Sequence, residues 1–299
     1  MIAGVLAVDK PTGPTSHDVV DAVRRSLGVR RVGHFGTLDP FASGLLVLGV
    51  GPATRLAPFC VAHRKTYRAI VRLGARSDTD DSSGVIRDAP VTVAPGRGAV
   101  EAACAAWEGS VLQVPPSVSA KHVDGRRAYA LARAGETVTL EAARVDIESI
   151  VIERYAWPLI EILVRCGPGT YIRALARDLG EDLGTGGLCE SLRRLASGPF
   201  AIEDAIDGSN VTDPAVVRAA LLPSWRAVAD LPAVVLDAGD ARAFAQGREI
   251  GVSFGHVPGW IRVHGPHGLV GLGEVLGDED VPRRLRPRRV LFPDGEGRE

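Results

Sequence analysis

Short strand-like runs, separated by spans of unequal length and character, limit what this chain can fold into. GVLAVDK, GLLVLGVG, KTYRAIVRLG and PLIEILVRCG are each apolar, and each is bounded by Gly, Pro or polar residues. The helix-like segment SHDVVDAVRRSLG follows the first run, and YIRALARDLGEDLG follows the last. In the first of these, Val19, Val20, Val23 and Leu27 share an apolar face, with Ser16 as the expected N-cap and Gly28 as the expected C′ residue. A doubly wound sheet needs regular β-α-β alternation, which is absent, so the expected class is α+β. Near residue 230 the texture changes. GWIRVHGPHGLVGLGEVLG reads as short strands split by glycines, the pattern of a small barrel. The expected division is therefore a main domain over 1–230, a second over 231–293, and a tail over 294–299.

At 299 residues the chain can bury a substantial core without covalent staples. Its cysteines, Cys60, Cys104, Cys166 and Cys189, show no C-x-x-C spacing and are expected to be buried free thiols. The N-terminus lacks a basic leader region, and SGLLVLGVGPATRLAPF is broken by Gly, Pro and Arg55, so neither a signal peptide nor a membrane span is expected. A cytoplasmic protein is the simplest reading. The net charge of −1 conceals an asymmetry. Residues 1–76 hold 11 Lys and Arg against 4 Asp and Glu, a net of +7, while 201–250 hold 4 against 8, a net of −4. Five arginines crowd VPRRLRPRRVLF. Basic patches on a neutral chain fit a polyanionic partner held on one face.

Against that background the loop GHFGTLDPFASG, residues 33–44, poses a question. Its one carboxylate, Asp39, precedes Pro40, which reads first as a turn residue. Yet it sits between glycines, beside His34 and just before an apolar run, where an unpaired acid is costly. A counter-charge is available in GPGTYIRALARDLG. Arg173 falls in the first turn of the expected helix, where the macrodipole disfavours a cation and an anion must compensate. That anion is either a side chain or a ligand.

Other chemistries fail stricter tests. There is no P-loop and no G-x-G-x-x-G, so a nucleotide cofactor is not expected. DTDDSSG lacks the Gly and Glu of a calcium loop and reads as a solvated polar loop. The histidines have no zinc spacing, and FASG is not a nucleophile elbow. Tyr67 lies among Arg64, Lys65 and Arg68, and Tyr171 precedes Arg173 closely; an aromatic among cations suits stacking on a base whose phosphate is held nearby. Both equally suit a core with the hydroxyl at the surface. Lys121, Arg126 and Arg127, around a glycine hinge at 125, read either as an arm closing on a polyanion or as a surface loop.

Five segments in order carry a resemblance: KPTGPTSHDVV, GHFGTLDPFASGLL, KTYRAIVRLGARSDTDDSSG, PPSVSAKHVDGRRAYALARAG and GPGTYIRALARDLGEDLG with LCESLRRLASGPF. Together they resemble the bacterial TruB family, the tRNA pseudouridine-55 synthases, across nearly all of residues 1–200. The C-terminal segment ending RPRRVLFP resembles a PUA RNA-binding domain. The resemblance implies a mixed, mainly antiparallel catalytic sheet flanked by helices and loops, an RNA-gripping insertion at about 117–142, and a small C-terminal barrel. It implies that one uridine in the T loop of tRNA is isomerised by a monomer needing no metal, nucleotide, guide RNA or protein partner. Asp39 matches the catalytic aspartate, Tyr67 the tyrosine that stacks on the target base, and Arg173 the arginine paired with the aspartate. His34, Tyr171, Leu192 and Lys10 match pocket positions, and Lys121, Arg126 and Arg127 the RNA-gripping arm.

The implied chemistry is consistent with the residues. A base in folded RNA must be flipped out at a cost of a few kcal/mol, and stacking on Tyr67 returns about 1–3 kcal/mol. An ionised Asp39 is needed, and Arg173 is expected to lower its pKa. Attack on C6 of the base, attack on C1′ of the sugar, and assistance of a glycal route all use the same carboxylate. The alternative reading is a tRNA-binding folding chaperone in which catalysis is secondary.

Overall fold

The computed structural model describes residues 2–117, 140–252, 259–276, 283–293 and Gly295, with the backbone of the two-residue strands 122–123 and 126–127. A ten-stranded mixed sheet dominates. Its strands are β1 (Gly4–Lys10), β2 (Val32–His34), β3 (Ser43–Val50), β4 (Lys65–Leu73), β5 (Gly109–Gln113), β6 (Ala143–Ala156), β7 (Leu159–Cys166), β8 (Gly187–Ser197), β9 (Phe200–Ala201) and β10 (Ile206–Asp207). The order is β10-β1-β3-β8-β4-β7-β6-β5, with β2 against β3 and β9 against β8. Only β1 with β10 and β3 with β8 run parallel. The sheet is thus mixed and mainly antiparallel, in the α+β class.

β1 and β3 read as continuous apolar runs because both faces are covered. Leu6, Val8, Leu46 and Leu48 face a layer that includes Val19, Val20 and Val23 of helix α1 (Ser16–Leu27) and Leu175 and Leu179 of helix α2 (Ile172–Asp182). The alternate residues Val5, Ala7, Leu45 and Val47 face the opposite way, onto Phe35, Leu56 and Phe200. That second cluster also includes Leu269, Leu272, Leu291 and Phe292. Those four come from the C-terminal unit, whose sheet therefore packs on the back of the main one.

The C-terminal sheet comprises β11 (Ala233–Val235), β12 (Ile250–Val252), β13 (Trp260–Gly265), β14 (Gly268–Leu276) and β15 (Arg283–Val290), in the order β11-β13-β14-β15-β12. It curls around Phe244, Ile261, Val263 and Leu285 as a small PUA-like unit. Phe59 meets Trp260 edge-on at 4.9 Å, and Arg262 lies 5.7 Å from the ring centre of Trp225.

Helix α1 corrects one expectation. Thr15, not Ser16, is the N-cap, and it forms a reciprocal capping box with Asp18. Ser16 is already helical and buried, which frees its hydroxyl for another task. Gly28 closes the helix in the left-handed region, at φ 65°. All four cysteines are free and buried. Among the described residues no helix is long and apolar enough to cross a membrane.

Candidate active site

The loop between β2 and β3 carries Asp39, and side chains from elsewhere hold it on every side. Ser16 Oγ donates to Leu38 O at 2.9 Å and accepts from Leu38 N at 2.8 Å. Gly13 N donates to Pro40 O at 2.8 Å, and Ala42 N to Asp39 O at 3.1 Å. From β8 the buried Arg194 donates to Leu45 O (2.6 Å), Gly36 O (3.1 Å) and Thr37 O (3.3 Å). The Asp-Pro bend is therefore a rigid mount. Its carboxylate keeps 41% of its side-chain surface open to solvent, while most of its surroundings are protein.

Helix α2 supplies the counter-charge. Tyr171, the residue before the helix, has its backbone bracketed by Gln113, whose Oε1 accepts from Tyr171 N (2.8 Å) and whose Nε2 donates to Tyr171 O (3.1 Å). Two residues on, Arg173 is buried, with Nε 3.0 Å from Asp39 Oδ2 and Nη1 3.1 Å from Asp81 Oδ2. Nη1 also donates to Thr79 O at 2.9 Å. One turn later Arg177 pairs with Asp80 at 2.8 Å. The segment DTDDSSG is thus solvated only in part: Asp78 and Ser83 are exposed, as expected of it, but Asp81 is turned inward. Asp81 is only 2% exposed, and its other oxygen accepts from Thr79 Oγ1 and from the backbone and hydroxyl of Ser83. Two arginines one helical turn apart need anions, and this loop provides both.

Burial pushes the Asp39 carboxyl above the usual carboxylate range, and the like charge of Asp81 adds to it; Arg173 and Lys10 oppose the rise. Arg173 lowers the pKa of Asp39, as expected, but desolvation is the larger effect and the net shift is upward. Burial likewise raises the phenol of Tyr67, opposed by the neighbouring Arg194. Tyr67 is on β4, directly opposite Arg194 of β8. Lys10 is fully buried at the end of β1, donates to the carbonyls of Pro11 (2.8 Å) and Pro14 (2.9 Å), and is brought down to about 8 by desolvation.

His34, on β2, faces Leu48 of β3 in the pairing; burial lowers its pKa, and among the described residues its Nδ1 has no hydrogen-bond partner. Leu192 is buried on β8, opposite Ala69 and in the same apolar cluster that Tyr67 packs against. Arg173 and Asp39 are therefore in contact, and Lys10 and Tyr67 lie within electrostatic reach of Asp39. Lys121 lies outside the described residues. Arg126 and Arg127 pair through the backbone with Val123 and His122, and their side chains lie outside the described residues.

Asp81 and Arg194 escaped the reading of spacings. The arginine pair at i, i+4 in α2 was the available signal for the acidic loop, whereas nothing local distinguishes Arg194 from Arg193, which makes a half-exposed pair with Asp9 at 2.6 Å.

Family models match the chain in succession. Residues 24–172 match the TruB family pseudouridylate synthase N-terminal domain, 173–228 the tRNA pseudouridylate synthase B C-terminal domain, and 232–291 the pseudouridine synthase II TruB C-terminal domain. The tRNA pseudouridine synthase B of Thermobifida fusca is 44% identical over 279 residues, 90% of this chain and 93% of that one. Its counterpart in an Arthrobacter species is 50% identical over 211 residues, 69% of each chain. Among solved structures, a Cbf5-Nop10-Gar1 complex shares the fold with a TM-score of 0.76 at 24% identity, over 99% of this chain and 87% of that one. Identity of this extent over nearly the whole length, with family models covering both the Asp39 loop and the Arg173 helix, means that the chain belongs to the TruB family of pseudouridylate synthases.

Proposed function

We propose that this chain isomerises uridine 55 in the T loop of tRNA to pseudouridine, with Asp39 as the reacting carboxylate. The family supports uridine isomerisation in tRNA. The observation that carries the residue assignment is Asp39 itself. It is held rigid by Ser16, Gly13 and Arg194, paired with a buried arginine, and still open on one side. A site aimed in this way suits a flipped base.

The reaction breaks C1′–N1 and forms C1′–C5, while C5 loses a proton and N1 gains one. Substrate and product are isomers, so the balance needs no oxidant or reductant. In this reading Asp39 gives covalent or electrostatic help at the sugar or base. In the same reading Tyr67 stacks on the uracil, and Leu192, His34, Lys10 and Tyr171 are assigned to the pocket around it. Lys121, Arg126 and Arg127 are assigned to grip of the RNA backbone. Residues 231–293 form a second RNA-contacting domain in this reading, supported by the arginines of β15. The chain works as a monomer on the T arm in the cytoplasm, without guide RNA or protein partner.

The test is release of tritium from tRNA labelled at C5 of uridine. Wild-type protein is expected to release it from a bare T-arm hairpin, and Asp39→Asn to bind the hairpin without release. Turnover by Asp39→Asn overturns the assignment of Asp39, and a requirement for added guide RNA or protein overturns the stand-alone reading.

A further inference from the structure

We propose that Arg194 is a positioning residue for the isomerisation, whose buried guanidinium locks the Asp39 loop in register with the strand that carries Tyr67. The inference rests on the reading of Asp39 and Tyr67 as the working pair.

The geometry is specific. β8 lies between β3 and β4, and at Arg194 it pairs with Gly44 on one side and Tyr67 on the other. Arg194 thus sits between the end of the Asp39 loop and the tyrosine. Its side chain then reaches back along the loop and donates to Leu45 O, Gly36 O and Thr37 O. These acceptors flank Asp39 on both sides in sequence. The planar fork of an arginine can reach several carbonyls at once, which a lysine cannot do with the same rigidity.

The charge is also unusual. Arg194 is 2% exposed, and among the described residues its side chain donates to three carbonyls and pairs with no carboxylate. A buried cation without a counter-ion is expensive, and an apolar side chain would serve a purely structural core better. The neighbouring Arg193 shows the ordinary alternative, a half-exposed bidentate pair with Asp9. Arg194 instead spends its donors on the loop that holds the reacting acid. Loss of this clamp lets the carboxylate drift relative to the base stacked on Tyr67, and a displacement of about 1 Å costs about a hundredfold in rate.

The experiment measures single-turnover isomerisation and tRNA affinity for Arg194→Lys and Arg194→Gln, beside Asp39→Asn. Both Arg194 variants are expected to lose about a hundredfold in single-turnover rate while the dissociation constant for tRNA stays within about threefold of wild type, well under one decade. The Lys variant is expected to recover little, because the fork and not the charge does the positioning. A folded variant that keeps its full rate overturns the proposal, as does a rate that falls only in proportion to affinity. If neither variant folds by circular dichroism, Arg194 is a core element of the fold and the positioning assignment fails. Turnover by Asp39→Asn would instead sink the underlying reading of the site, whatever the Arg194 variants do.

Discussion

Arg173 Nε lies 3.0 Å from Asp39 Oδ2, and the same guanidinium reaches on to Asp81 Oδ2 at 3.1 Å. Asp39, the proposed reacting acid, is therefore one end of a charge row through Arg173 whose other end, Asp81, is buried. Arg173→Met leaves Asp81 without its cation, and breaking a buried pair in this way costs about 3–5 kcal/mol. The expected result is a lowered urea midpoint together with loss of turnover. Arg173→Lys is expected to fold better but to recover little activity, since an ammonium cannot bridge two carboxylates in fixed directions. A Met variant as stable as wild type would mean that the row contributes nothing to the fold.

Asp39→Asn is expected to abolish turnover without lowering the melting temperature. The sign follows from burial. A carboxyl whose folded-state pKa lies above its unfolded value is favoured by the fold in its protonated form, so its ionised form at neutral pH weakens the fold. Asn mimics the neutral form and leaves Arg173 still paired with Asp81. Differential scanning calorimetry decides this, and a melting temperature clearly below wild type would contradict it.

The pH dependence has a matching direction. The proposed reaction uses the ionised carboxylate of Asp39, so the acid limb of the single-turnover rate should lie above the ordinary carboxylate range. Asp81→Asn removes a like charge near Asp39 and a competing carboxylate on Arg173. Both changes favour ionisation, so the limb should move to lower pH. A limb that stays in place in this variant would separate Asp81 from the reacting group.

Ser16→Ala tests the mount from the other side of the loop. Ser16 Oγ is the partner of both Leu38 N and Leu38 O, in a buried setting. Leaving these groups unsatisfied costs about 1–3 kcal/mol. Because Leu38 precedes Asp39, turnover is expected to fall with tRNA affinity intact. A drop in stability with an unchanged single-turnover rate would show that the loop holds its shape without this clamp.

Much of this was legible in the sequence where the physics is local. The apolar runs of β1 and β3, the amphipathic face of α1 and the Gly28 stop follow from periodicity and backbone preference. The need of Arg173 for an anion followed from its place at a helix start. Ser16 as N-cap failed because Thr15, one residue earlier, competes for the same role and wins the capping box. The burial of Asp81 within DTDDSSG was not legible, because it comes from contacts with α2 and β8, both far away in sequence. The lowering of the Asp39 pKa by Arg173 was legible, but not the larger desolvation, because a counter-charge can be inferred from a helix start whereas desolvation depends on everything that surrounds the group in three dimensions. Arg194 is the extreme case, since its place between the Asp39 loop and Tyr67 comes from the contacts of β8 with β3 and β4.

The contact of β8 with β3 yields the last prediction. Gly44 has φ +99°, and a Cβ there would lie 2.3 Å from Arg194 O and 2.7 Å from Arg194 N, both backbone atoms that cannot swing aside. Gly44→Ala must therefore push β3 from β8 at the point where the Asp39 loop joins the sheet. Crowding of this kind costs about 1–3 kcal/mol, beyond the strain of the left-handed backbone. Gly28→Ala is the control, because Gly28 also has a positive φ but open space where its Cβ would go. The control should lose only the backbone part and keep its full single-turnover rate. Gly44→Ala should lose more stability and, by moving the loop against Tyr67, lose rate as well. Equal effects in the two variants, measured by urea denaturation and single-turnover assay, would show that close approach of β3 and β8 is not what aims Asp39.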